Sequence, residues 1–211
     1  MSEPMPPVLR KRADARRNAA TLLDAAAAAF VASGVHVPVR DIAARAGVGI
    51  GTIYRHFPTR ADLVVAVYRH QVEACAQAGP ALTAENLAPH VALARWIELF
   101  VDFLITKHGL AEALRSDIAA FHRLHDYFLD RLVPVCEELL VAARAAGEIR
   151  ADVGALGLMY GVGNLCIGAN DARYDPRLMV EILLAGLKQD ASALGGRRQL
   201  RSGRPNRSDL K

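Results

Sequence analysis

An all-α chain is predicted, built as an N-terminal three-helix helix-turn-helix domain followed by a larger C-terminal helical domain. Apolar residues recur at helical spacing in one segment after another, strand-like alternation is absent, and glycine or proline separates the segments. Between residues 39 and 63 two short helical runs flank a glycine turn, the arrangement that sets the type of the small domain.

Residues 1 to 9 are Pro-rich, and residues 1–12 are expected to form a disordered basic arm. Arg10, Lys11, Arg12, Arg16 and Arg17 lead into a long helix ending near Ser33, with Gly34 as its stop. Leu22, Ala26, Ala29 and Phe30 make its buried stripe. A helix start favours acids, so arginines there suit either phosphate contact or open solvent.

The next stretch, VRDIAARAGVGIGTIYRHFPTRADL, organises the chain. Val39, Ile42, Ala43 and Ala46 fall on one side of a two-turn helix, and Gly47 ends it by supplying a left-handed residue. A second helix spans about Gly49 to Phe57, with Ile53 and Phe57 inward and Thr52, Arg55 and His56 outward. A helix presented in this way suits the major groove of a duplex. Gly49 and Gly51 permit close approach of the backbone, Thr52 and Tyr54 can donate to phosphate, and Arg55 and His56 can reach base edges. Arg40 and Arg60 add cations at the two flanks. The competing reading is a helical hairpin in an enzyme core, which has no need of so many exposed donors on one helix.

The run IAARAG, then GTIYRHF, with Leu63 shortly after, closely resembles the DNA-binding domain of the TetR family of bacterial transcriptional regulators. The resemblance covers roughly residues 15 to 65 and departs from the family at two places. Pro38 stands where a hydroxyl cap is common, and Gly49-Ile50 replace a Ser-Lys pair in the turn, which removes two phosphate contacts. The basic arm is placed to offset that loss.

Charge separates the chain into parts. Residues 1 to 60 hold nine Lys and Arg against four Asp and Glu; residues 61 to 190 hold eleven against seventeen; the last twenty-one hold six against one. Only the basic parts suit a polyanion, so a DNA-binding domain over 13–60, an acidic helical domain over 61–190 and a disordered basic tail over 191–211 are expected. The tail either adds non-specific DNA affinity or is simply solvated. Cys75, Cys136 and Cys166 are odd in number and far apart, which offers no disulfide framework or zinc pattern and leaves a reducing cytoplasm as the default. The charge-free run Val153 to Ala169 spans 17 residues with five glycines. It falls short of the roughly 20 apolar residues that a membrane span needs.

From Thr59, a plausible N-cap with Asp62 at the third position, a helix is predicted to run to about Ala78 and to end at Gly79-Pro80. Further helices are predicted over about 88–106, 109–117, 118–146, 152–170 and 176–188, with Pro134 inside one of them. Trp96, Phe100, Phe103, Phe128, Tyr160 and Asn164 are candidates to line an apolar pocket with a few polar groups, although for any one of the stripe aromatics plain core is the default. His122 and His125 are three apart, but no third ligand is fixed beside them, so neither metal nor cofactor is expected. Gly157, Gly161, Leu183 and Leu187 lie on two small-residue helices, and close packing there serves either a dimer or the subunit itself.

What the resemblance implies is a homodimer held by the last two helices, with two recognition helices roughly 34 Å apart on a near-palindromic operator. It also implies release by a small-molecule effector that tilts the helix beginning at Thr59, and so a repressor without enzymatic activity. A ligand-independent architectural DNA binder and a helical enzyme are the alternatives. No nucleophile motif or phosphate loop supports the enzyme.

Overall fold

Local signals explain where most helices start and stop in the computed structural model, which describes residues 7–113, 118–150, 152–169 and 171–188, without the side chains of 7–17, 106–113 and 118–120. Among the described residues there are eight helices: α1 (Pro7–Ser33), α2 (Val39–Ala46), α3 (Ile50–His56), α4 (Arg60–Ala84), α5 (Pro89–Ala113), α6 (Ile118–Ala145), α7 (Ala155–Leu165) and α8 (Pro176–Leu187). Their extended backbone is limited to one bridge between Ile149 and Lys188. The predicted tail over 191–211 and residues 1–6 of the predicted arm lie outside the described residues.

α1 stops at Gly34, whose φ of 75° is left-handed and whose N–H reaches Phe30 O at 2.9 Å. Leu22, Ala26, Ala29 and Phe30 form its buried stripe, packed in one apolar cluster with Ile42, Ile53, Leu63 and Val67. The helix begins at Pro7, inside the stretch expected to be disordered to residue 12. Proline at a first helical position loses no hydrogen bond, because that N–H has no intrahelical partner anyway.

α4 starts on a capping box. Thr59 Oγ1 accepts from Asp62 N–H at 3.1 Å and Thr59 N–H donates to Asp62 Oδ2 at 2.9 Å. The predicted end at Gly79-Pro80 is overridden, because α4 continues through both residues to Ala84. Gly79 is buried where α4 crosses α6, so packing of the two helices outweighs the local stop signal. α5 likewise runs unbroken through Gly109. One helical glycine costs about 1 kcal/mol relative to alanine, too little to end a helix that tertiary contacts hold. α7 is shorter than predicted, giving way to turns at Cys166. α8 starts as expected on Asp175, whose carboxylate accepts from Arg177 and Leu178 N–H.

α4 touches α1 on one side and α5 and α6 on the other, so it joins the two halves mechanically. His70 on α4 meets Asp24 on α1 at 2.7 Å. Toward α6, Arg131 holds Glu73 with two bonds of 2.6 and 2.8 Å, and the Tyr127 hydroxyl donates to the same carboxylate at 2.6 Å. The Arg69 guanidinium lies 5.2 Å above the Tyr127 ring. The Arg131 guanidinium and then the Tyr127 hydroxyl hold Glu73 down to about 2, from an ordinary value near 4.5. A carboxylate so lowered stabilises the fold above about pH 4.5 and loses that contribution as pH falls toward 2. Glu73→Gln is therefore expected to lower stability at pH 7 by about 1 kcal/mol, a modest figure because both partners are partly exposed. Urea midpoints of the two proteins should converge between pH 4.5 and 2; a gap that persists unchanged to acid pH contradicts the assignment.

Trp96, Phe100, Leu132 and Leu140 anchor the core of the larger half, each no more than 1% exposed. The three cysteines are buried and unpaired. Burial pushes the Cys75 and Cys136 thiols up to about 12, and raises that of Cys166.

Candidate nucleic-acid interface

α2 carries Ile42 and Ala43 into the core and ends on Gly47, at φ 66° and ψ 27°. Gly47 N–H bonds Ala44 O at 3.3 Å and Val48 N–H bonds Ala43 O at 3.1 Å, the paired closure that only a left-handed residue allows. Val48 packs back onto the core. The chain thus reverses within three residues, and Gly49 begins α3 with extended backbone and no side-chain cap.

Ile53 is the anchor of α3, 1% exposed, with Phe57 half-buried behind it. Gly51, Tyr54, Arg55 and His56 are exposed, Thr52 is half-buried, and no acidic residue lies on the helix. Ile50, Gly51, Tyr54 and Arg55 follow at spacings of one, three and one, which places them on one side of a helix. Nothing lies within 4 Å of a Cβ built on Gly51, so that side is open. Arg40 is exposed at the start of α2 and meets Asp41 at 3.4 Å, a weak surface pair.

Arg60 is a correction. Its Nε donates to Val35 O at 2.8 Å, and its Nη2 donates to Val35 O and, at 2.7 Å, to Val37 O. These bonds tie the loop after α1 to the start of α4, so the guanidinium braces the domain instead of reaching outward. Sequence spacing gave no sign of it, because the acceptors are backbone carbonyls more than twenty positions away. Ile50 is the residue missed: it is 46% exposed in the first turn of α3, and an exposed aliphatic there suits contact with a thymine methyl.

In the larger half a cavity of about 110 Å³ opens between α5, α6 and α7. Four of the six expected pocket residues, Phe100, Phe128, Tyr160 and Asn164, line it, together with Leu104, His125, Leu129 and Met159 among others. Trp96 and Phe103 do not line it. Trp96 is fully buried with its indole N–H given to Cys75 O at 2.9 Å, and Phe103 is wedged against Tyr68 and Phe128 at 5.3 and 5.6 Å. Aromatic spacing identifies an apolar face but not which rings the core encloses.

Of the residues considered for pairing, Gly157 is exposed with open space above it. Gly161 instead faces Leu183 within the subunit, 3.7 Å from a built Cβ to Leu183 Cδ2. Leu187 is buried at 7%, its carbonyl accepting from Arg150 N–H at 3.0 Å, so it belongs to the subunit core. The outer face of α7 and α8 and the turn after α7 carries other apolar residues: Leu156, Tyr160, Ile167, Leu178 and Ile182 are 47 to 67% exposed. Among the described residues no group of three or more His, Cys, Asp and Glu could hold a metal ion, and no helix is long and apolar enough to cross a membrane.

A left-handed glycine joining two short helices, the second with its hydrogen-bonding side turned outward, defines a helix-turn-helix regulator. Residues 22–67 match the model of the bacterial regulatory proteins of the tetR family, and residues 88–189 match the C-terminal domain of SbtR-like transcriptional regulators. A TetR transcriptional regulator of Streptomyces coelicolor is 32% identical, over 81% of this chain and 98% of that one, with a TM-score of 0.72. A TetR transcription regulatory protein of Mycobacterium vanbaalenii is 34% identical, over 84% and 99%, with a TM-score of 0.66. The fold also resembles that of FadR from Bacillus subtilis, a transcriptional regulator solved in complex with stearoyl-CoA, at 21% identity over 78% and 95% and a TM-score of 0.54. No curated protein matches in sequence. The chain belongs to the TetR family of bacterial transcriptional regulators. It is a DNA-binding transcriptional regulator.

Proposed function

We propose that this regulator is a cytoplasmic homodimeric repressor, which binds a near-palindromic operator through α3 of each copy and is released by a small-molecule effector in the larger helical half. The observation that carries the DNA assignment is the side of α3 holding Gly51, Tyr54 and Arg55, exposed and free of acids. Arg40, Gly49, Thr52 and His56 border it as further contacts, and Arg60 positions the domain.

Pairing is supported by the apolar outer face of α7 and α8, since large exposed apolar patches on a soluble fold mark interaction surfaces. Sensing is supported by the cavity and by the stearoyl-CoA complex of the FadR relative. An effector weakens operator binding only if it prefers the state with misaligned recognition helices. α4 is the element that would carry the shift, because it begins in the DNA-binding half and packs against α6, a wall of the cavity.

A gel shift on DNA flanking the gene tests the reading. A specific shift is expected, weakened at least about tenfold by Tyr54→Ala or Arg55→Ala, roughly the loss of one good contact. Both variants should melt like the parent, whereas Arg60→Ala should melt lower. Light scattering should give twice the chain mass at micromolar concentration. A specific shift insensitive to both α3 variants, or a monomer mass, defeats the proposal.

A further inference from the structure

Exposed apolar surface in the DNA-binding half is concentrated on α3. Among the described residues of that half, the exposed large apolar side chains are Val31, Ile50 and Tyr54, and the last two lie four residues apart on α3. That spacing sets them on one side of the helix, together with Gly51 and Arg55. Ile50 has a glycine before and after it, and a Cβ built on Gly51 meets nothing within 4 Å. The isoleucine therefore stands clear of its chain neighbours.

Neither packing nor helix propensity accounts for an isoleucine here. The side chain is exposed, and a β-branched residue forms helix less well than alanine or lysine. A duplex offers such a side chain few partners. In the major groove guanine, adenine and cytosine present hydrogen-bonding atoms, and thymine alone adds an apolar group, its C5 methyl. Set against any other base edge, Ile50 would strip water from a donor or acceptor and return no hydrogen bond. Set against the methyl, two apolar surfaces leave water together.

We propose that Ile50 fixes the base beside the first turn of α3 as a 5-methylpyrimidine, which in unmodified DNA is thymine. The proposal rests on the reading of α3 as the recognition helix and adds to it the identity of one base and the atom by which that base is read.

Selection of binding sequences from random duplexes with the full-length protein supplies the operator. Each thymine of one half-site, on either strand, is then replaced in turn by uracil, which lacks the methyl and keeps every hydrogen-bonding atom. At one position the parent protein should lose about fourfold in affinity, the equivalent of about 0.8 kcal/mol for one methyl-sized group. Ile50→Ala should melt like the parent, bind the thymine operator more weakly and show no difference between thymine and uracil there. At the same position the parent should bind 5-methylcytosine about fourfold more tightly than cytosine, and Ile50→Ala should bind the two alike. The proposal is overturned if no thymine methyl affects the parent, or if the methyl effect survives unchanged in Ile50→Ala. Arg55→Ala separates the two readings. If it weakens operator binding while no methyl matters, α3 faces the duplex and only the role of Ile50 falls. If selection yields no preferred sequence, or if neither Arg55→Ala nor Ile50→Ala changes affinity, both fall.

Discussion

Gly79→Ala is expected to destabilise the protein by about 2 kcal/mol, and truncation of Val135 to alanine should recover most of the loss. A Cβ at residue 79 would lie 2.2 Å from Val135 Cγ1, a separation that no real pair of carbons tolerates. Its next neighbours, Val135 Cβ at 3.7 Å and Trp96 Cδ1 at 3.8 Å, are at ordinary contact distance. Val135 sits in α6 directly after Pro134, and a β-branched residue in a helix has one strongly preferred χ1, so the methyl cannot swing aside. Overpacking of this kind costs about 1–3 kcal/mol. Alanine returns up to about 1 kcal/mol of helix propensity, so the strain must lie at or above the upper end for the net loss to hold. In Gly79→Ala/Val135→Ala the obstructing atom is gone. Urea denaturation of the four proteins should give a favourable coupling of about 1.5 kcal/mol or more, a size typical of residues in direct contact. Strict additivity would mean that α4 and α6 separate easily, which contradicts the packing described.

Gly51→Glu is expected to reduce operator affinity at least about 100-fold, equivalent to about 2.7 kcal/mol, with the melting temperature unchanged or slightly raised. The space above Gly51 is open, so the side chain enters without strain, and glutamate is a better helix former than glycine. Its carboxylate would then stand among Tyr54 and Arg55, where phosphates are expected. Like charges brought together at an interface cost several kcal/mol. Gly51→Gln separates charge from bulk and should lose far less. If the glutamate variant binds operator like the parent, α3 does not face the duplex.

The helix ends that were legible in the sequence are those fixed by local chemistry. Gly47 takes the left-handed conformation that its position demanded, Thr59 and Asp62 make their box, and Asp175 caps α8 ahead of Pro176. The stripe from Leu22 to Phe30 was readable because that part of α1 turns one apolar face into the core. The readings that failed depended on partners distant in sequence. Gly79-Pro80 has the form of a stop, yet the crossing with α6 holds the helix through it. Arg60 looked like a cation for DNA until the carbonyls of Val35 and Val37 were seen to occupy it. Trp96, Phe103 and Leu187 share helical faces with residues that line a cavity or a surface, and a period of 3.6 cannot say which of them another helix will cover.

The burial of all three thiols makes this protein a gauge of its own opening. Thiolate is the species that reacts with alkylating agents, and Cys75 and Cys136 hold their protons to about 12 behind well-packed helices. Iodoacetamide therefore modifies only molecules that have come apart. Its rate at Cys75 and Cys136, followed by peptide mass spectrometry, reports how often α4 leaves α6 in any variant or with any bound compound.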